Sequence, residues 1–520
     1  MAKSKIPLKA GKLLILVLLL LVSAPVFAQS VDTAWVRRYN GTGDSTDWAW
    51  AIAVDNDGNV YVTGYSYGNG TGYDYATIKY FSDGDTAWVR RYNGPGNSQD
   101  YARAIAIDGS GDVYVTGYSA ENTSYYYNYD FATIKYYPDG EIAWVRIYNG
   151  PGNGDDQASA VAIDRSGNVY VTGECYGDSG TYLDYATIKY YPNGDVAWLR
   201  RYNGEGNDQD WAHALAIDSS GNVYVSGQSY GWGTDFDYVT IKYYPNGDTA
   251  WLRRYSAPGS SYDLAQAIAI DYSDNVLVTG VSYNPGGTGQ DYCTIKYDHN
   301  GDTVWVRRYD GPGYSYDWAW AVAVDGFNNV YVTGRSSNDI ATIKYYSNGD
   351  IAWTKRYNGP GNDWDEASAI AVDRSDNVYV AGWQKGTGTD NDYVTIKYYP
   401  NGDTAWVRRY NGPGNSGDCA SAIAIDGSCL VYETGRSMGS GTSEDYATIK
   451  YVQFLCGDVN KDGVVDVGDV VYLINYLFKN GPAPVPILKA GDASCDGVVD
   501  VGDAVYLINY LFKKGPEPCC

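Results

Sequence analysis

Histidine is almost missing from this chain. Its 520 residues include two, His213 and His299, in different parts of the sequence and with no Ser or Cys nucleophile signature beside either. That argues against a serine- or cysteine-hydrolase triad and against histidine-held metal chemistry. No Walker or dinucleotide-type glycine loop stands between a strand and a helix, which excludes the nucleotide-binding folds built on them. Cysteine is sparse and irregular. Cys175, Cys293, Cys419 and Cys429 are scattered, and the other four, Cys456, Cys495, Cys519 and Cys520, lie near the C-terminus. A disulfide framework needs cysteine at a regular spacing, and the scattered four have none. Cys419 begins a predicted strand and Cys429 follows the turn at its far end, beyond bridging reach. The C-terminal four are the candidates for bridging in an oxidising compartment. Long apolar runs are absent after residue 22, so no later stretch could cross a bilayer.

The N-terminus is different in kind. Lys3, Lys5, Lys9 and Lys12 precede an apolar run from Leu13 to Val22, and Pro25 with Val26-Phe27-Ala28 supplies a small-residue cleavage site. Residues 1–28 read as a secretory signal peptide, which predicts a secreted bacterial chain with no membrane span after cleavage. An uncleaved anchor is the competing reading, and the shortness of the run argues against it. Without residues 1–28, which carry four lysines and no acid, 34 basic and 62 acidic residues remain, a net charge of −28. Such a surface repels nucleic acid and anionic membranes, and it suits neutral glycans, cationic ligands and Ca²⁺.

What the chain has in abundance is itself. Trp35, Trp88, Trp144, Trp198, Trp251, Trp305, Trp353 and Trp406 open one phrase at steps of 53, 56, 54, 53, 54, 48 and 53 residues. A period of this length signals a solenoid, a propeller or an array. The first full unit reads as four short strands. Ala49–Val54 alternates small and large residues, and Asp55–Asn59 is turn chemistry. Val60–Gly64 and Tyr75–Tyr80 come next, and Asp83-Gly84 is a hairpin signal before Thr86–Tyr92. One four-stranded sheet cannot bury two apolar faces, whereas sheets stacked around an axis can. A β-propeller is the expectation, with a linear stack as the alternative. The chain begins with a fourth-strand phrase, Thr33–Tyr39, and the last unit ends at Ala447–Tyr451 without one. The N-terminal strand therefore completes the last blade, which predicts an all-β, eight-bladed propeller over residues 30–453.

Several polar residues recur in every unit. Asp47 and its seven equivalents precede the inner strand, Asp55 and its equivalents end it, Lys79 marks the third strand, and Arg37 the fourth. We read them as turn caps and blade-to-blade ion pairs, since buried charges must be paired. A ring of ligand-binding carboxylates is the alternative. The phrase from Ala51 to Gly64 resembles the SBBP-type β-propeller repeat of secreted bacterial proteins. That resemblance implies the fold and no single reaction.

After Cys456 the composition changes. Asp458, Asn460, Asp462, Asp466 and Asp469 stand at positions 1, 3, 5, 9 and 12 of a loop with Gly463 at position 6. Asp492, Ser494, Asp496, Asp500 and Asp503 repeat it around Gly497. Hard Ca²⁺ wants six to eight oxygens, and glycine allows the sharp turn between them. Val464 and Val498, at position 7, would add their carbonyls. Two Ca²⁺ ions are expected. Each loop feeds an amphipathic helix, with Val470, Leu473, Ile474, Leu477 and Phe478 on one face and Val505, Leu507, Ile508, Leu511 and Phe512 on the other's. Residues 457–520 resemble a type I dockerin, with Asp at position 12 and no entering helix. The resemblance implies a cohesin-like partner on an extracellular or cell-surface protein. By position it implies contacts through Val467, Gly468, Ile474, Asn475 and Lys479 and through Val501, Gly502, Ile508, Asn509 and Lys513. The two sets are identical, so either half could dock. Val-Gly stands where well-studied dockerins carry small hydroxylated residues.

No catalytic pair can be picked, because nearly every Asp has seven copies. The segments between second and third strands vary most, among them Tyr65–Asp74, Glu121–Asp130, Gly231–Asp237 and Arg335–Asp339. Tyr125, Tyr126, Tyr127, Trp232 and Trp383 are aromatic residues there that could stack on a sugar or a peptide. Two function classes are consistent with the chain. One is a non-catalytic binding or scaffold protein, its propeller holding a glycan or protein ligand. The other is a dockerin-borne polysaccharide-degrading enzyme, a glycoside hydrolase or lyase.

Overall fold

The computed structural model describes residues 29–121, 128–178, 182–258, 262–284, 289–313, 316–462, 464–513, 515, 516 and 518. Residues 1–28, Tyr125 to Tyr127, Gly463, Cys519 and Cys520 lie outside them. The chain forms two compact units, Ser30–Phe454 and a second built on the residues from Leu455 onward.

The first unit is an eight-bladed propeller. Each blade is one four-stranded antiparallel sheet, and the last is assembled from Cys419–Ile425, Val431–Met438, Glu444–Leu455 and the N-terminal strand Gln29–Tyr39. The N-terminal strand thus closes the ring, as the phase of the repeat predicts. Arg38 seals it with a 2.8 Å ion pair to Asp445, and Tyr446 donates 3.1 Å across to the Ala76 carbonyl of the first blade.

The core lies between blades. Tyr61, Tyr75 and Trp88 of the first blade pack with Ala102, Val115, Ile134 and Tyr136 of the second. Each such side chain, fully buried, contributes roughly 1.5–3 kcal/mol, so the small alanines of one inner strand are needed to receive the rings of the neighbour. The opening phrase of the repeat is a latch between blades. The Trp88 indole donates 3.1 Å to Pro138 O, and Arg90 Nε donates 2.7 Å to Gly140 O, both on the next blade's hairpin. A Cβ on Gly140, which has φ +85°, would fall 2.8 Å from the Trp88 ring. The turn must therefore be glycine both for its backbone and for its neighbour. At closure there is no such hairpin. Gln453 accepts from Trp406 and Lys397 instead, and Arg408 bonds to the Val31 carbonyl.

The recurring carboxylates are occupied by the scaffold. Asp47 is fully buried and accepts from Gly41 N at 2.6 Å and Tyr67 N at 2.9 Å, tying the blade crossover to its own blade. Asp55 caps its turn, taking Asn59 N at 2.9 Å, Asn59 Nδ2 at 2.8 Å and the Tyr61 hydroxyl at 3.0 Å. The lysines pair within a blade, as Lys135 with Asp112 at 2.7 Å and Lys296 with Asp271 at 2.8 Å, and the link across blades goes to carbonyls, as Lys79 to Pro138 O at 3.2 Å. The expectation of turn caps holds. The blade-to-blade contacts are mainly hydrogen bonds to carbonyl oxygens, supplemented by weaker ion pairs such as Arg90–Glu141 at 3.4 Å.

The second unit has two α-helices, α1 (Val467–Lys479) and α2 (Val501–Lys513), with a short 3-10 turn Leu488–Gly491 between them. Its core is Val459, Val465, Val470, Leu473, Ala493, Ala504 and Leu507. No described helix is long and apolar enough to cross a membrane.

Candidate functional site

The C-terminal loops are held open by their own carboxylates. In the first, Asp469 is fully buried and accepts from Val459 N at 2.8 Å and Asp466 N at 2.8 Å. Asp458 and Asn460 each accept from Asp462 N, at 3.1 and 2.8 Å. The second loop repeats this. Asp503 takes Ser494 N and Asp500 N, both at 2.9 Å, and Asp492 takes Asp496 N at 3.1 Å and Gly497 N at 3.0 Å. These bonds tie the loop backbone to Asp469 and Asp503, while Asp462, Asp466, Asp496 and Asp500 are exposed. Burial, with Asp458 adding to it, pushes Asp469 up to about 6. The Ser494 hydroxyl is buried and unbonded among the described residues. A buried carboxylate with a second beside it, and an orphan oxygen, are what a bound hard cation would satisfy. Asp458, Asn460, Asp462, Asp466 and Asp469 would hold one ion, with the Val464 carbonyl, and Asp492, Ser494, Asp496, Asp500 and Asp503 another, with that of Val498.

The helices begin where the loops end. Asp466 is the N-cap of α1 in a reciprocal capping box with Asp469, and its side chain takes Gly468 N at 2.6 Å. Asp500 takes Gly502 N at the same distance. Val467, Gly468 and Lys479 are exposed, as are Val501, Gly502 and Lys513. Ile474, Asn475, Ile508 and Asn509 are half-buried, the isoleucines packing on the module's own core. The structure corrects the expected apolar faces. Phe478, Phe512 and Val505 are 66, 67 and 51 % exposed, and Val471 joins them at 52 %. Each helix therefore shows solvent an apolar strip (Val467, Val471 and Phe478, or Val501, Val505 and Phe512), where sequence periodicity put Phe478, Val505 and Phe512 on one face with Leu473 or Leu507. Both Cys456 and Cys495 are disulfide-bonded, whereas Cys175, Cys293, Cys419 and Cys429 are free thiols.

Residues 456–512 match the type I dockerin domain, and residues 34–70, 87–122, 143–179 and 198–237 match the SBBP β-propeller repeat. The chain is an SBBP-repeat propeller carrying a type I dockerin. A dockerin is a calcium-binding domain and implies a cohesin partner. An uncharacterised WD repeat-containing protein of Acanthamoeba polyphaga mimivirus is 26 % identical over 358 residues, covering 55 % of this chain and 24 % of that protein. The chain thus spans about a quarter of that relative's length. Among solved structures, a protein from Lactobacillus plantarum is 12 % identical with a TM-score of 0.44, covering 68 % of this chain and 95 % of that one. Drosophila Plexin A, solved in complex with Semaphorin 1b, is 9 % identical with a TM-score of 0.39, covering 85 % and 90 %. At these scores neither likeness bears on function.

The SBBP propeller has its own candidate site, which sequence reasoning missed. Every inner strand carries a β-bulge, as between Ala49 and Ala51 or Ala102 and Ala104. Bulges re-aim side chains. The residues at the bulges are Trp50, Arg103, Ser159, His213, Gln266, Trp320, Ser368 and Ser421. The bulge requires the glycine of the second strand, since a Cβ on Gly64 would lie 2.0 Å from the Trp48 carbonyl. Two further positions face each other across these strands, as Trp48 with Tyr65, Gln157 with Glu174 and Glu366 with Trp383. These three positions differ from blade to blade, while the Asp, the three Ala and the Gly around them are the same in all eight.

At this mouth the side chains form a stack. The Arg436 guanidinium lies 3.9 Å from the Trp48 ring, Trp48 stacks on Trp50 at 4.7 Å and 14°, and Arg103 lies 4.4 Å beyond. Beside it is a cavity of about 420 Å³ lined by Trp48, Trp50, Trp320, Glu366, Ser368 and Trp383, among others. Trp383, expected in a loop, stands in the strand Val378–Lys385. Trp232, by contrast, is 79 % exposed at a turn. The other end of the inner strands has a larger hollow, about 600 Å³, but the repeated turn residues Asp164, Asp218 and Asp271 line it.

Proposed function

We propose that this is a secreted, non-catalytic binding protein. Its dockerin docks calcium-dependently to a cohesin-like domain, and its propeller holds a glycan or protein ligand. The observation that carries the docking half is the duplicated loop, each copy with its own buried carboxylate, Asp469 or Asp503, and each followed by a matching exposed strip. Two ions, one per loop, pre-set both helix starts. Val467, Gly468 and Lys479, with Val501, Gly502 and Lys513, are the exposed members of the contact sets, and Ile474, Asn475, Ile508 and Asn509 frame them. Because the halves match, either could meet the partner.

The test uses the full chain, loaded with Ca²⁺, as bait in the source's extracellular fraction, eluted with EDTA. A cohesin-bearing protein in the eluate supports the reading, and its absence with folded bait refutes the docking half. The competing reading is a polysaccharide-degrading enzyme. Its observation is two acids at the mouth, on the third and seventh blades: Glu174, which burial pushes up to about 7, and Glu366, raised by burial against the pull of Arg335. A product-release assay on plant and microbial glycans decides. Turnover lost in Glu174→Gln or Glu366→Gln would replace the binding reading by catalysis.

A further inference from the structure

We infer that the ligand site of the propeller is the mouth at the bulged ends of the inner strands, and that its ligand is an uncharged oligosaccharide. The inference rests on the ligand-holding half of the reading above.

The location is set by the eightfold repeat itself. The blades compare themselves with one another inside a single chain, and residues that the ring needs are the same in all of them. A position that varies among the blades is free of the ring's own demands and open to a task that is not eightfold. The three divergent positions per blade converge at this mouth, and they supply all but two of the cavity's lining residues. The larger hollow at the opposite face has one varying position, at Arg165, Ser219 and Tyr272, among turn residues repeated in every blade such as Asp164, Asp218 and Asp271.

The chemistry of the ligand is set by the groups the wall leaves over. Among the described residues, the indole N–H groups of Trp50 and Trp320 are buried without a hydrogen-bond partner. A buried donor without an acceptor calls for one from outside. The charged groups of the cavity wall, by contrast, are already matched. Arg335 stands 3.4 Å from Glu366, and Arg436 stands 2.7 Å from Glu444. Arg436 and Arg103 also cover the outer faces of the Trp48–Trp50 stack, where a cationic ligand would otherwise sit. An ionic ligand in this cavity must compete with one of these pairs, and a neutral one need not. Trp320 and Trp383 offer apolar surface, while Ser368 and Glu366 offer acceptors beside the indole donors. Sugar rings present apolar C–H faces edged by hydroxyls, and each hydroxyl both donates and accepts. A cavity of about 420 Å³ admits roughly two pyranose rings. A peptide would offer its acceptors at fixed backbone spacing and is the outcome to be tested against.

The experiment titrates the full, Ca²⁺-loaded chain with cellohexaose, xylohexaose, mannohexaose and chitohexaose. A heparin hexasaccharide and a tryptic digest of casein are the comparison probes. Binding is read by calorimetry and tryptophan fluorescence. We expect saturable binding of a neutral hexasaccharide that survives EDTA. Trp320→Phe, which keeps the ring and removes the N–H, should weaken it about tenfold. Ser368→Trp, which plugs the cavity, should abolish it with the circular dichroism unchanged. Binding of none of the neutral sugars overturns the proposal. So does binding indifferent to both substitutions, or saturable binding of the heparin or casein probe that Ser368→Trp removes. Cohesin capture is scored separately, so sugar binding can fail while docking stands, and the reverse.

Discussion

The two regions of this molecule are both built by duplication, and they use it in opposite ways. In the propeller, the residues found in all eight blades, such as Asp47, Asp55 and Gly64, are occupied within the ring. Three positions that differ among the blades meet at one mouth. In the dockerin the reverse holds. Asp458 and Asp492, Asp462 and Asp496, Asp469 and Asp503 are the repeated residues, and they are the ion ligands. The reason is where each unit finds its partners. A blade cannot bury its own faces, so its constant residues serve its neighbours. A calcium loop encloses its own ion, so each copy is a complete site.

The largest effect separating the regions should come from removing calcium. Each loop carries four acidic side chains, Asp458, Asp462, Asp466 and Asp469 in the first, and the helices start from their caps. EDTA added to the full chain should remove amide-exchange protection from α1 and α2 and leave the blades protected. Calorimetric titration should count two ions in the wild type and one in Asp492→Ala. Helices that stay protected in EDTA would break the comparison, because the second region would then be a scaffold like the first.

Next in size is the glycine that permits the bulge. Gly64→Ala places a Cβ 2.0 Å from the Trp48 carbonyl, a clash with backbone that cannot swing away. Overpacking of this kind costs about 3 kcal/mol or more. The chemical midpoint of the propeller should fall while the dockerin is unchanged. The same substitution should also disturb the Trp48–Trp50 stack, seen as altered near-ultraviolet circular dichroism. An unchanged midpoint would show that the bulge is not set by this glycine.

The ring was legible in the sequence because its evidence is periodic. Trp35 to Trp406 gives the blade count, and the unmatched phrases at Thr33–Tyr39 and Ala447–Tyr451 give the closure. The calcium loops were legible because their ligands are consecutive. The mouth was not, since Trp48, Trp320, Glu366 and Arg436 are far apart in the chain and meet only when it closes. Reading the eight units in register would have exposed it, as Asp-x-Ala-x-Ala-x-Ala is constant around two changing places. Instead, the variable segments drew attention as loops, and much of them is strand. Tyr65 to Gly68 and Trp383 extend the second strands of their blades. Phe478 and Phe512 misled for a different reason, because a helical period marks an apolar face and cannot say whether that face meets the core or a partner.

Glu433 breaks the rule of the propeller at its seam. Seven blades place Val62 or an equivalent valine there, and the closing blade buries a carboxyl between Thr395, at 2.5 Å, and the Tyr451 hydroxyl, at 2.6 Å. Burial pushes it from 4.5 up to about 7. Between those values the folded chain holds a proton that the unfolded chain has lost. Stability therefore falls as pH rises through that window, and the deficit is complete above about 7. It amounts to roughly 3 kcal/mol at most. In Glu433→Val this component should vanish, so the variant should gain on the wild type between pH 5 and pH 8 in melting temperature. A gap between the two that stays constant with pH would show that Glu433 does not titrate there.

The smallest expected effect is the sharpest test of what the constant residues do. Arg253 is a member of the repeated latch, and its partners are of two kinds, carbonyl oxygens and a carboxylate. Its Nε donates 2.6 Å to the buried side of the next blade's turn at Gly301 O, with the guanidinium 5.5 Å over Trp251. Its ion pair with Asp302 spans 3.9 Å, and that carboxylate is 81 % exposed. An exposed pair of this length is screened by water and contributes close to nothing, whereas a charge-assisted bond to a carbonyl contributes about 1.5–3 kcal/mol. Asp302→Ala should therefore shift stability by less than about 0.5 kcal/mol. Arg253→Ala should lose about 1.5 kcal/mol or more, in both low and high salt. Equal losses, or a loss in Arg253→Ala that salt removes, would mean that surface charge joins the blades. The repeated arginine would then have to be explained by the acids around it rather than by the turn it grips.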